Sequence, residues 1–304
     1  MVVFLALAVL STGCSNDNTG SASAQSVSAQ LQDDVVTVGS FDFSESVVLA
    51  EVYSQGLEAA GFSVHRAFGL GPREFVGSAL STGLVEFVPD YAGTAAEFFS
   101  LGSAAPTVDP PAAHEELAQA LRGQNVVALD AAPAQDANTF VVTRATAARL
   151  KLHKLSDLRG VAGTLAFGGP PECPERPLCL KGLADRYGLK FGSVVTTDAG
   201  GPLTHSALEE GIVDVALLFT TDPRIADDDL VQLDDDLGLQ PAESVTPLVR
   251  TEVVDRLGPD LVDTTNAISA RLTTDAVQRL NGAAAEPDSD VGAVVAAWWS
   301  RVAS

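Results

Sequence analysis

The sequence is poor in positive charge, in aromatic side chains and in cysteine, and each scarcity closes off a class of function. Only 18 Lys and Arg stand against 40 Asp and Glu in 304 residues, a formal charge of −22. Nucleic-acid binding needs a basic face that displaces counterions from phosphates, so that class is excluded. Aromatics make up 6% of the chain, which leaves few ring faces for any site that needs them. The three cysteines and four scattered histidines do not fall into zinc-binding spacings. There is no G-x-S-x-G elbow and no H-E-x-x-H, the marks of a strained serine nucleophile and of a zinc hydrolase. A hydrolase would lack a nucleophile with a base at recognisable spacing, so no enzyme, no cofactor and no metal site are expected.

Two weaker signals read as ordinary structure. The run Gly69-Leu-Gly71-Pro-Arg-Glu74 follows a strand pattern but lacks the third glycine of a dinucleotide loop. It reads as a tight turn into a helix, where backbone N–H groups near Gly71 could hold a polar group. The acidic runs 227–229 and 234–236 do not match an EF-hand loop and read as solvated surface.

Long apolar runs are also missing. Residues 1–10 are apolar but too short to span a bilayer. They lead through Ser11, Thr12 and Gly13 to Cys14, the pattern of a lipoprotein signal cleaved before a cysteine that receives a lipid. Residues 15–34 begin with a Ser/Ala/Asn/Gln-rich stretch and read as a flexible tether. Placing Cys14 on a lipid leaves Cys173 and Cys179 in the run PPECPERPLC. In an exported chain that pair reads as a disulfide closing a loop stiffened by Pro174 and Pro177, with two free thiols the alternative. Arg176 in this loop is placed to offer a fixed fork to a carboxylate or to seal a cleft.

The remaining chain alternates short β-like runs with amphipathic stretches, which indicates an α/β architecture. Strands are expected at 35–39, 63–68, 87–88, 126–129, 139–143, 163–167, 193–197, 213–219 and 230–233. Helices are expected at 46–60, 75–82, 112–122, 145–150, 178–187 and 203–210. After Arg250 only helical periodicity remains, including 273–280 and 291–301. An internal echo organises the pattern. Ser78-Ala-Leu-Ser-Thr-Gly-Leu-Val-Glu86 returns as Ser206-Ala-Leu-Glu-Glu-Gly-Ile-Val-Asp214, 128 residues later. Each copy reads as a helix end, a glycine that closes it in the left-handed conformation, and a strand. The same offset aligns Tyr91 with Phe219 and Thr94 with Asp222, just past the carboxyl ends of their strands, where open α/β sheets bind ligands. Two similar lobes with a cleft between them follow.

From residue 35 to 250 the chain resembles the substrate-binding proteins of ABC importers for glycine betaine, choline and related osmoprotectants. The matching blocks are Gly39-Ser-Phe-Asp-Phe-Ser-Glu45, Val88-Pro-Asp-Tyr-Ala-Gly-Thr94, Asn138-Thr-Phe140, Glu175-Arg-Pro177, Val213-Asp-Val215, Phe219-Thr-Thr-Asp222, Arg224-Ile225 and Pro247-Leu-Val-Arg250. The resemblance implies a two-lobed type II periplasmic-binding fold, each lobe a mixed sheet flanked by helices, with the ligand cleft between them. Lobe 1 is expected at 35–137 plus 247–304 and lobe 2 at 138–246. It also implies an extracytoplasmic, lipid-anchored monomer that hands a small ligand to a permease and ATPase.

In that family a cage of tyrosines holds a quaternary ammonium by cation–π attraction. Tyr91 matches a cage tyrosine and Thr94 its polar neighbour. Phe140 and Phe219 stand where Tyr is usual, with core packing the plain alternative. Near Glu243 and Ser244 an aromatic is absent, and Phe41 replaces a lysine that can meet a ligand carboxylate. The expected ligand-binding set is therefore Phe41, Phe43, Gly71, Tyr91, Thr94, Asn138, Phe140, Arg176, Phe219, Asp222, Glu243 and Ser244. These departures favour a choline-like cation over glycine betaine, and leave open a different small molecule or a receptor that no longer serves transport.

Overall fold

A computed structural model describes residues 35–226 and 230–302. The signal, Cys14, the tether and the acidic run 227–229 lie outside the described residues. Among the described residues there are ten strands: β1 Val35–Gly39, β2 Ser63–Ala67, β3 Phe87–Tyr91, β4 Val126–Ala128, β5 Asn138–Thr143, β6 Ala166–Gly169, β7 Ser193–Thr196, β8 Val215–Phe219, β9 Leu230–Gln232 and β10 Val245–Arg250. The helices, in chain order, are α1 Ser44–Ala59, α2 Arg73–Thr82, α3 Ala92–Phe99, α4 Pro110–Ala120, α5 Arg144–Leu150, α6 Leu180–Gly182, α7 Pro202–Glu209, α8 Pro223–Ala226, α9 Thr251–Leu257, α10 Pro259–Ser269, α11 Thr274–Ala285 and α12 Val291–Val302. None is long and apolar enough to cross a membrane.

The strands form two five-stranded sheets with the same plan, β2-β1-β3-β10-β4 and β7-β6-β8-β5-β9. In each sheet the fourth strand runs antiparallel to both its neighbours, and in each it is the strand that follows a crossing from the other lobe. Each sheet has its own core. Val38, Tyr53, Phe87, Leu248 and Trp298 belong to the first, and Phe140, Leu155, Phe167 and Tyr187 to the second.

The echo is real in three dimensions. Gly83 and Gly211, φ 82° and 68°, close α2 and end the turn after α7 in the left-handed region that glycine enters without a Cβ clash. Glu86 and Asp214 then accept from the backbone N–H of Thr37 and Ala166 on the neighbouring strand, at 2.9 and 3.0 Å.

Three departures from the sequence reading have physical causes. First, β3 runs to Tyr91 and β10 is a central, fully buried strand, although Pro89 and Pro247 discourage a strand assignment at both places. The prolines face each other across the β3–β10 pair. The Pro247 carbonyl accepts from Leu129 N–H at 2.9 Å, one residue beyond β4, so its backbone faces away from β3 and its missing N–H breaks no bond there. Second, residues 162–164 form a 3-10 turn and β6 starts at Ala166, whereas 178–187 is broken into α6 and a π turn over Leu183–Tyr187. Third, the return crossing lies near residues 240–241, because Leu239 packs in the second core and Ala242 in the first. The two crossing segments pair with each other: Val245 N–H donates to Ala134 O at 3.0 Å and Asp136 N–H to Glu243 O at 3.0 Å. Glu243 and Ser244 therefore sit with lobe 1.

The C-terminal segment is helical, as its periodicity suggests, and its buried residues pack in the lobe-1 core. Tyr53 and Ser269 share a buried hydrogen bond of 2.8 Å, and Trp299 Nε1 donates to Val52 O, tying α10 and α12 to α1.

Candidate functional site

A cavity of about 760 Å³ opens between the lobes. Its lobe-1 wall is a ladder of rings at the end of β1 and β3. Phe41 stacks on Phe43 with centroids 5.7 Å apart and planes 6° apart, and Phe43 stacks on Tyr91 at 6.3 Å and 24°. Phe43 is 42% exposed, so its ring face is open to the cleft. Phe219, at the end of β8, faces the cavity from lobe 2. Phe219 is the echo partner of Tyr91, and Asp222 that of Thr94; all four residues line the cavity.

Carboxylates surround these rings. Tyr91 O–H donates to Glu45 Oε1 at 2.7 Å, and Asn281 Nδ2 donates to Glu45 Oε2 at 2.6 Å. Asp136, on the first crossing, accepts from Thr221 Oγ1 at 2.8 Å. Burial pushes its carboxyl well above the usual range, with the Glu45 charge adding to the effect. Burial likewise pushes the Tyr91 phenol up, and the neighbouring Glu45 and Asp136 charges add to it; the hydroxyl stays a donor. Glu243 accepts from Thr94 N–H at 3.1 Å. Burial raises its pKa to about 7, against the opposing pull of the Thr94 N–H and the Arg73 guanidinium.

Among the described residues Arg73 is the one basic side chain lining this cavity, and it is engaged. It lies 2.7 Å from Asp90, donates to Thr94 Oγ1 at 2.9 Å and caps the Phe41 ring at 5.3 Å. Asp222, which also lines the cavity, is bonded to His205 Nε2 at 2.9 Å. The wall thus offers ring faces and excess negative charge, which together select for a positive, weakly hydrated group.

Of the residues expected from sequence, Phe41, Phe43, Tyr91, Thr94, Asn138, Phe219, Asp222 and Glu243 line this cavity. Four do not. Phe140 is 1% exposed and packs at 6.1 Å against Phe167 in the lobe-2 core, because its position in β5 points it to the sheet face that carries that core. Ser244 is buried and bonded to Gln135 Nε2 at 2.7 Å, holding the two crossings together. Gly71 serves the turn before α2 with φ 128°, and Pro72 and Arg73 reach the cavity in its place. Arg176 lies on an adjoining cavity. Cys173 and Cys179 are joined, with Cα atoms 5.3 Å apart. The sequence reading missed Glu45, Arg73, Asp136, Thr221 and Asn281. Glu45, Arg73 and Thr221 stood inside quoted runs and Asp136 two residues before Asn138; Asn281 sits in a helix with no motif to mark it.

Comparison with known proteins agrees with this geometry. The family described as the substrate-binding domain of the ABC-type glycine betaine transport system matches residues 34–301. The chain is 28% identical over 270 residues to the glycine betaine-binding protein YehZ of Escherichia coli strain K12, covering 86% of this chain and 88% of that protein. It is 27% identical over 263 residues to a glycine-betaine-binding protein of Pseudomonas aeruginosa, covering 82% of each. A crystal structure described as a glycine betaine/carnitine/choline ABC transporter superposes with a TM-score of 0.80 at 26% identity, over 88% of this chain and 98% of that one. The chain belongs to the family of substrate-binding domains of ABC-type glycine betaine transport systems and is a solute-binding protein, not an enzyme.

Proposed function

We propose that this protein captures a quaternary ammonium compound in the interlobe cleft and delivers it to an ABC permease and its ATPase, and that a choline-like cation suits the cleft better than glycine betaine. The observation that carries this reading is the ring ladder Phe41–Phe43–Tyr91 set among Glu45, Asp136, Asp222 and Glu243. A ligand carboxylate would enter an acid-rich wall whose guanidinium is already paired with Asp90, whereas an ammonium meets ring faces and carboxylates together. Glycine betaine carries both groups, so its net gain is smaller. The proposal includes anchoring to the outer face of the cell membrane through a lipid on Cys14. Labelling with a tagged fatty acid, present in the native chain and absent in Cys14→Ser, is the expected result for that part.

Delivery needs a face for the permease, and the echo supplies a candidate on each lobe. Phe75 and Leu84 in lobe 1 are 55% and 71% exposed, and Leu203 and Ile212, their partners at the same 128-residue offset, are 65% and 52% exposed. Phe75 and Leu203 each stand in the first turn of their helices, α2 and α7. A partner that presents two equivalent apolar contacts would meet both lobes at once.

The experiment is isothermal calorimetry with choline and glycine betaine, backed by thermal shift. At 100 times its dissociation constant a ligand raises stability by about 2.7 kcal/mol, which a thermal shift resolves. Choline should bind more tightly than glycine betaine, and Tyr91→Ala should weaken choline by about 0.5 to 2 kcal/mol. A folded protein that binds neither compound would overturn the reading.

A further inference from the structure

Beside the cavity just described lies another of about 560 Å³, and the two share seven lining residues, among them Leu178, Phe219, Pro241 and Glu243. They are two compartments of one cleft, with Phe219 and Leu178 at the boundary. Lobe 1 walls the second compartment with Ala96, Ala104, Ala105 and Pro106, and lobe 2 with the disulfide-closed loop and Leu217. Alanine and proline leave space where a larger side chain would fill it, and they offer no hydrogen-bonding side-chain groups. Of the ionic residues here Glu97, Glu172 and Arg176 are exposed, Glu116 is half-buried, and Glu243 is the buried carboxyl shared with the first compartment. Each compartment alone has the volume usual for a small-molecule site, roughly 300–1,000 Å³. A compact ammonium head held against Phe43 and Tyr91 would leave the second one unused.

We propose that the second compartment is a subsite for an apolar tail, so that the ligand is a quaternary ammonium compound extended by an alkyl or aryl group several carbons long. The head sits on the ring ladder, and the tail passes Phe219 to lie between the alanine-lined loop of lobe 1 and the disulfide loop of lobe 2. Because both lobes wall the compartment, the tail adds contacts that favour closure as well as affinity. Apolar burial gives the direction: each methylene removed from water raises affinity about three- to fourfold. This inference rests on the ammonium reading above.

The test is calorimetry of the purified protein with tetramethylammonium, choline, n-butyltrimethylammonium and n-hexyltrimethylammonium, on the native chain and on Ala105→Phe. Ala105 is exposed and lines only the second compartment, so the added ring fills that space without disturbing a core. Affinity should climb from tetramethylammonium to the hexyl compound by about threefold or more per methylene until the compartment is full. Ala105→Phe should erase most of that climb while leaving tetramethylammonium within twofold. Equal affinity for the short and long compounds, or a uniform loss in Ala105→Phe, would overturn the tail subsite while leaving the ammonium reading intact. Failure of every ammonium compound to bind the folded protein would remove both.

Discussion

Glu243 is the side chain whose protonation should be most visible in binding. It lines both compartments and faces Thr94 on α3, Arg73 on α2 and Asp90 on β3, with burial raising its pKa to about 7. A cationic ligand favours the ionised form, so binding should release a proton, and affinity should fall by up to about tenfold per unit as pH drops below 7. The stability sign is opposite. Between the ordinary carboxylate range and pH 7 the folded chain holds this proton and the unfolded chain does not, so the Glu243 contribution to stability declines as pH rises through that window. Glu243→Gln should therefore flatten the pH dependence of cation affinity, and raise stability at pH 8 by on the order of 2 to 3 kcal/mol while changing little at pH 4. Calorimetry in buffers of different ionisation enthalpy, with urea melts at both pH values, reads both effects. Tyr91 was legible in the sequence because its run carried a pattern of its own, and Phe219 because the echo mapped it. Asp222 and Glu243 were marked too, but Glu45 and Asp136 were not, since these two acids and Asn281 meet only through tertiary packing, 236 residues apart at the extremes of the Glu45–Asn281 bond.

The loop around Cys173–Cys179 shows what sequence does and does not reveal about an element. Two cysteines flanking Pro174 and Pro177 announced a stiff closed loop, and the bonded pair stands six positions apart. The helix after it was legible only in outline, because α6 gives way to a π turn that apolar spacing does not encode. The close packing behind the loop explains one residue there. A Cβ on Gly182 would stand 1.9 Å from the Pro177 carbonyl oxygen and 2.5 Å from Leu239 Cδ1, so α6 can lie under the loop only with glycine at that place. Gly182→Ala should destabilise the protein by about 1 to 3 kcal/mol, the usual cost of overpacking. Removing the bridge as Cys173→Ser with Cys179→Ser should cost about 2 kcal/mol, small because the loop it closes is short. Urea melts of the two variants should separate these causes: added reductant lowers the native midpoint and that of Gly182→Ala, but leaves the double serine variant unmoved. The strands tell a complementary story. Seven were foreseen close to their places and β6 was set three residues early; the two that were cut short or missed, β3 and β10, are those in which a proline sits opposite a proline.

At the scale of the whole molecule the sequence carried the two-lobed plan through its repeat, and the structure extends that repeat to surface exposure. Positions 73–86 and 201–214 match almost residue for residue in which side chains are covered and which face water. The match includes the exposed pairs Phe75 with Leu84 and Leu203 with Ile212. Exposed leucine or phenylalanine at one place is unremarkable in any soluble protein, but the same exposure kept in both copies of a diverged repeat asks for a common cause. A single ligand in the cleft touches neither pair, since none of the four residues lines either compartment. A membrane partner with two equivalent contact sites would touch both. Phe75→Ser and Leu203→Ser should each leave choline affinity within twofold by calorimetry, because the substitutions lie on exposed positions away from the ring ladder. Uptake of labelled choline by cells carrying these variants should fall, and the double variant should fall further than either alone, as expected when two separate contacts hold one complex. Full uptake by the double variant would show that the apolar pairs have no part in delivery, and would send the search for the docking face to the acidic surface around them.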